Sequence, residues 1–161
     1  MKVLLLREGR SYPCGFTIVE MMVVLAMLAV LAMVTAPVAQ LVAQRAKERE
    51  LKAALFEMRE AIDEYKRATG DGRIARAANG SGYPPSLDVL VDGVPALSGD
   101  RLYFLRRIPR DPMASNAERA TQWGLRSYSS GPDHPEPGDD VYDVYSLSDD
   151  DGLDGTPYRK W

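Results

Sequence analysis

Hydrophobic and polar positions change their pattern twice along the chain. From Phe16 to Ala39 the only departures from apolar side chains are Thr17, Glu20, Thr35 and Pro37, and Met21–Val34 contains none. A stretch that is apolar on every side predicts a helix with no polar face. Its 24 residues at the helical rise reach about 36 Å, enough for a hydrocarbon core of about 30 Å. From Gln40 to Gly70 the pattern becomes one-sided: Leu51, Leu55, Met58, Ile62 and Tyr65 are spaced by 4, 3, 4 and 3, one face of a helix. Around that face, Arg45–Arg67 carries seven basic and six acidic side chains, many placed to pair at i,i+3 or i,i+4. Gly70 stands where a left-handed C-terminal cap is expected. Only Pro37 interrupts, so the spacing predicts a single helix of about 54 residues, roughly 80 Å long.

Asp71–Trp161 reads differently, with short apolar runs between Gly and Pro. Ser86 before Leu87-Asp88-Val89-Leu90 predicts an N-capped short helix. Tyr103–Arg107 suits a short helix or a strand, and Leu125–Ser129 and Val141–Leu147 read as strands. Ninety-one residues make a thin core alone, so packing on the apolar stripe of the charged helix is the economical solution. The expected architecture is α+β, a helical stem bearing a small antiparallel head. Four segments follow: 1–15, 16–39, 40–70 and 71–161.

Composition narrows the function. The chain has 161 residues, 45% apolar and 27% charged, a net charge of −3 and a pI near 5.2. That is one-domain size and argues against a strongly basic nucleic-acid binder. One histidine, His134, and one cysteine, Cys14, exclude Cys/His metal clusters and internal disulfides. His134 lies in a Gly/Pro loop, and no phosphate-binding glycine loop is present. Residues 1–15 carry Lys2, Arg7 and Arg10 against Glu8; a short basic flank is kept in the cytoplasm, which places the remainder outside, in a periplasm where a second membrane exists. The apolar stretch is too long for a secretory signal peptide, and Ser11-Tyr12-Pro13 before Cys14 does not suit a lipoprotein site.

At the junction of leader and span stands Gly15-Phe16-Thr17-Ile18-Val19-Glu20. It resembles the processing site of type IV prepilins and type II secretion pseudopilins. The resemblance implies cleavage between Gly15 and Phe16 by a membrane prepilin peptidase, which also N-methylates Phe16. Glycine suits this position because it lets an extended leader approach a protease closely. Glu20, fifth after the cut, is implied to pair with the new amine of a neighbouring subunit and set register in the filament. A carboxylate in lipid otherwise costs about 2.5–3.5 kcal/mol. Pro37, twenty-second after the cut, is either a mild kink or a point where the stem loosens on assembly.

Within that superfamily the head resembles the major pseudopilin of type II secretion. The residues that carry this are Pro84-Pro85-Ser86-Leu87, Ile108-Pro109-Arg110-Asp111-Pro112, Trp123-Gly124, Tyr128, Asp143-Val144-Tyr145-Ser146-Leu147 and an acidic tail closing on Trp161. The usual pattern puts the Asp-Pro and Trp-Gly pairs side by side; here Met113–Gln122 separates them. The resemblance implies a type IV pilin-like fold in the bacterial inner membrane, with a cytoplasmic N-terminus and a periplasmic head. It implies a non-enzymatic subunit whose partners are further copies of itself, minor pseudopilins, the peptidase, an inner-membrane assembly platform and membrane lipid, with no nucleic acid. It also implies a calcium ion held by Asp154, Asp151 and Asp149, with Ser148 and the Leu147 carbonyl as lesser ligands. Carboxylates and freed carbonyls suit calcium, although the spacing is not that of an EF-hand. Two alternatives stand beside this: a type IV pilin, minor pilin or DNA-uptake subunit, and a membrane-anchored periplasmic enzyme or binding domain. The arginines at 101, 106, 107, 110, 119 and 126 could meet a neighbouring acidic head, DNA or solvent.

Overall fold

The computed structural model describes residues 15–76 and 80–161, without the side chains of 34–37. Cys14 and the rest of the expected leader before Gly15 lie outside the described residues, and so does the side chain of Pro37. The chain divides into two compact units, Met1–Leu41 and Val42–Trp161.

A single helix, α1 (Ile18–Gly70, 53 residues), runs through both helical patterns, as their spacing predicts. Thr17 begins it: its Oγ1 accepts from the Glu20 backbone N–H at 3.1 Å, and its carbonyl accepts from the Met21 N–H at 3.1 Å. In the first unit every described side chain is exposed. The apolar window has a mean hydropathy of 2.5, so by length and composition α1 can cross a membrane.

In the second unit the one-sided stripe is buried: Leu51, Leu55, Met58, Ile62 and Tyr65, with Ala54 and Ala61 between them and Ala68 beyond. The head closes over it with Ile74, Leu87, Leu90, Leu105, Trp123, Val141, Val144 and Tyr158. α1 ends at Gly70 as its sequence suggests, but the left-handed cap lies two residues further on. Gly72, and not Gly70, takes the left-handed conformation (φ 69°). The Arg73 N–H then donates to Ala68 O at 2.8 Å and the Gly72 N–H to Thr69 O at 3.3 Å, the Schellman arrangement that satisfies the last carbonyls and turns Ile74 into the core.

The head is shorter in regular structure than its patterns imply. Helix α2 is Asp88–Asp92, and no side chain caps it; burial of Leu87 draws the chain into the helix past Ser86, so the expected Ser86 cap does not form. Strands β1 (Val94–Pro95) and β2 (Arg101–Leu102) pair antiparallel. Tyr103–Arg107 is neither helix nor strand, because Phe104 and Leu105 both donate to Leu90 O, at 3.0 and 2.9 Å, and follow α2 rather than a ladder. Strands β3 (Gly124–Arg126) and β4 (Asp143–Tyr145) form a second antiparallel pair, with Gly124 opposite Tyr145 and Leu125 opposite Val144. The expected strands are trimmed where other acceptors take their amides. Ser127 N–H donates to Glu136 O (3.0 Å), Tyr128 N–H to Asp140 Oδ1 (2.8 Å) and Val141 N–H to Pro84 O (2.8 Å). A Cβ at Gly124 would overlap the Tyr145 ring, so glycine is what allows this pair to close.

Candidate functional site

The residues singled out from sequence lie in two places. Gly15, Phe16 and Thr17 precede α1 and are exposed. Gly15 has no left-handed φ, and a Cβ built on it meets nothing within 4 Å. Nothing among the described residues therefore requires glycine there. Glu20 sits in the first turn of α1, exposed. Thr17-Ile18-Val19-Glu20 has the spacing of a capping box, and its Thr17 half forms. The T-x-x-E string carries the signal for this capping role of Thr17. An acidic side chain in a first turn is also favoured by the helix dipole.

The acidic loop forms a narrow turn-rich hairpin. Asp151 and Pro157 bridge across it, and Gly152 N–H donates to Thr156 O at 2.9 Å. Asp149 is ion-paired with Arg159. Asp154 Oδ1 accepts from its own Thr156 N–H at 2.9 Å, and Ser148 Oγ bonds Asp150 Oδ2 at 3.3 Å. Leu147 is exposed. The loop thus brings Ser148, Asp149, Asp151 and Asp154 into one segment. Among the described residues, however, no three His, Cys, Asp or Glu are gathered as a metal ion needs. The donors have calcium's chemistry, and this arrangement does not form a cradle of them.

What holds the loop against α1 is Glu48, which carried no sequence signal. Its Oε1 accepts from the Leu153 N–H at 2.8 Å and from the Tyr158 hydroxyl at 3.1 Å, and Gln44 Nε2 donates to that hydroxyl at 3.2 Å. Burial raises the Tyr158 phenol above its ordinary value, and Glu48 and Asp150 push it the same way while Gln44 opposes. Arg59 makes the second tie, to Asp143 Oδ1 (2.8 Å), Val144 O (3.1 Å) and Trp161 O (2.7 Å). Beneath the hairpin, buried Asp111 accepts from Ser146 Oγ at 2.6 Å and from the Met113 N–H at 2.8 Å. His134 is exposed, on the rim of an open cleft of about 900 Å³ with Glu136, Asp149 and Lys160.

The prokaryotic N-terminal methylation motif matches residues 10–36. No curated protein and no solved structure matches the chain. The match spans the start of the apolar helix and the segment before it, so the chain carries a prepilin-type N-terminal methylation motif.

Proposed function

We propose that this chain is a filament subunit of the type IV pilin kind, cut between Gly15 and Phe16, methylated on the new Phe16 amine and anchored in the bacterial inner membrane by the first half of α1. The observation that carries this is a motif match over residues 10–36 that includes Gly15, a glycine with no left-handed φ and no close neighbour in the described chain. Cleavage there leaves the apolar helix on the product, so the processed protein stays in the membrane while its head projects into the periplasm. Glu20, exposed at the start of the helix, pairs with the methylated amine of a neighbouring copy. That pairing offsets the cost of a carboxylate in lipid and sets the axial step of the filament.

The finer reading is a major pseudopilin of type II secretion, working with minor pseudopilins and an inner-membrane assembly platform to move folded proteins across the outer membrane. It rests on the head motifs from Pro84 to Trp161 and on the absence of cysteine after the cut. Calcium at Asp149, Asp151, Asp154, Ser148 and Leu147 belongs to the same reading and is supported by donor chemistry alone. A pilin or DNA-uptake subunit is the alternative. Exposed Arg106, Arg107, Arg110 and Arg119 form no ion pair with another described residue, and DNA binding that falls steeply with salt would favour it.

The test is co-expression of the full chain with and without a prepilin peptidase, followed by mass analysis of its N-terminus. The expected product begins at Phe16 and bears one added methyl group. Gly15→Val blocks the cut. Glu20→Ala is cut and inserted but does not assemble. A chain left whole by an active peptidase refutes the proposal, and unimpaired assembly of Glu20→Ala refutes the pairing.

A further inference from the structure

Beyond the buried stripe, the second half of α1 is charged in opposite senses on its two flanks. Arg45, Lys52, Arg59 and Lys66 recur every seven residues, and so do Glu50, Glu57 and Glu64. Seven residues are close to two turns, so the two series run down either side of buried Leu51, Met58 and Tyr65. From Lys52 on, the basic flank is engaged by the head. Lys52 lies 4.4 Å over the Trp161 ring, Arg59 bonds Asp143, and Lys66 donates to Ser81 O. On the acidic flank Glu64 pairs with Arg67 and Arg73. The side chains of Glu50 and Glu57 have no ion-pair or hydrogen-bond partner among the described residues, and they stand about 10 Å apart along the axis.

These two carboxylates form one wall of a cleft of about 740 Å³. Arg107 and Arg110 line it too, likewise without partners among the described residues, and Thr121 stands at its margin. Thr121 belongs to Met113–Gln122, the stretch that separates the Asp-Pro and Trp-Gly pairs in this chain. That stretch is tied beside Arg110: Asp111 N–H donates to Ala120 O at 2.7 Å, and at its far end Trp123 Nε1–H donates to Pro109 O at 3.0 Å. Two charges of each sign thus share one cleft without a salt bridge across it. Such a cleft complements a surface that itself presents both signs, because a partner of one sign alone meets repulsion from half of it.

The chain carries a surface of that kind elsewhere. At the acidic hairpin, Asp151 on one arm and Lys160 beyond the other are exposed, and neither side chain has a partner among the described residues. The hairpin shares no residue with the cleft. We infer that the cleft receives this hairpin from a second copy of the chain, Asp151 meeting Arg107 and Arg110 while Lys160 meets Glu50 and Glu57. Cleft and hairpin are different surfaces, so the contact is head-to-tail and repeats into an open row instead of closing as a dimer. It rests on the filament reading, names the head contact within it, and gives Asp151 to that contact instead of to calcium.

The test uses the full chain, co-expressed with prepilin peptidase in membranes, and reads leader cleavage and assembled filament separately. Arg110→Glu and Glu57→Lys are each expected to lower assembled protein about tenfold or more with cleavage unchanged. Arg110→Glu with Asp151→Arg, and Glu57→Lys with Lys160→Glu, restore most of it. Wild-type assembly that is indifferent to both single reversals overturns this contact and leaves the filament reading standing. Loss that neither charge exchange restores overturns it as well, and gives the cleft to a different partner. A wild-type chain that is never cut or never assembles overturns both readings.

Discussion

Arg59 on α1 hydrogen-bonds both β4 and the last residue, and its removal gives a sharp test of how the head is held. Its Nε donates to Asp143 Oδ1, and its Nη2 serves both Val144 O and Trp161 O. Hydrogen bonds to or from a charged group are worth about 1.5–3 kcal/mol each. Here the side chains of Arg59 and Asp143 are 39% and 26% exposed, so solvent weakens the ion pair, and Asp143 keeps Arg126 at 3.2 Å after the loss. About 1 kcal/mol per bond is the reasonable discount, which makes Arg59→Met cost about 2–3 kcal/mol. Arg59→Lys keeps the charge and loses the planar fork. One ammonium does not span the three acceptors, so most of the loss is expected to remain. Urea unfolding of the full protein in detergent, followed by the fluorescence of Trp123 and Trp161, measures both variants. Arg59→Met within about 0.5 kcal/mol of wild type, the range of ordinary surface changes, refutes the clamp. A wild-type midpoint for Arg59→Lys would show that charge alone matters.

Three further outcomes follow from the same packing. Gly124→Ala places a methyl group in the Tyr145 ring and is expected to cost about 1–3 kcal/mol by overpacking; trimming the ring in a Tyr145→Leu background recovers part of it, and a neutral single variant would contradict the β3–β4 register. Burial, as the leading cause, raises the phenols of Tyr65, Tyr83 and Tyr158 above the ordinary value. These groups ionise first in the unfolded chain, so their contribution is complete below about pH 10 and is lost as pH rises through the folded values. Unfolding midpoints that stay level between about pH 9 and 12 would refute this. Calcium at 100 times its dissociation constant stabilises a native-only binder by about 2.7 kcal/mol; a calcium-specific shift abolished by Asp154→Ala supports the acidic loop as its site, and no shift with calcium against chelator removes it.

The motif and the stem were legible from local pattern. Apolarity on every side from Phe16 to Ala39, and spacing of 4 and 3 from Leu51 to Tyr65, are helix-scale periodicities that survive whatever packs on them. Gly15-Phe16-Thr17-Ile18-Val19-Glu20 is a contiguous string within the matched methylation motif, so it is legible without knowing how the chain folds. The head is another matter. Each strand there is two or three residues long, too short for alternation to bound it, and its ends are set by distant acceptors: Pro84 O for Val141, Asp140 for Tyr128, Leu90 O for Leu105. The left-handed cap falls at Gly72 and not Gly70 because the Schellman bonds and the burial of Ile74 act together, whereas either glycine satisfies the local rule.

Charge shows the division most clearly. That α1 carries lysines, arginines and glutamates at seven-residue intervals is written in the chain. That Glu48 holds the acidic hairpin, that Arg59 spans β4 and Trp161, and that Glu50 and Glu57 share an open cleft with Arg107 and Arg110 depends on residues 50 to 110 positions apart. Side-chain charge is a local property, but its partner is chosen by where the backbone carries it. Only the tertiary structure decides which of these charges are spent inside the molecule and which are left facing outward.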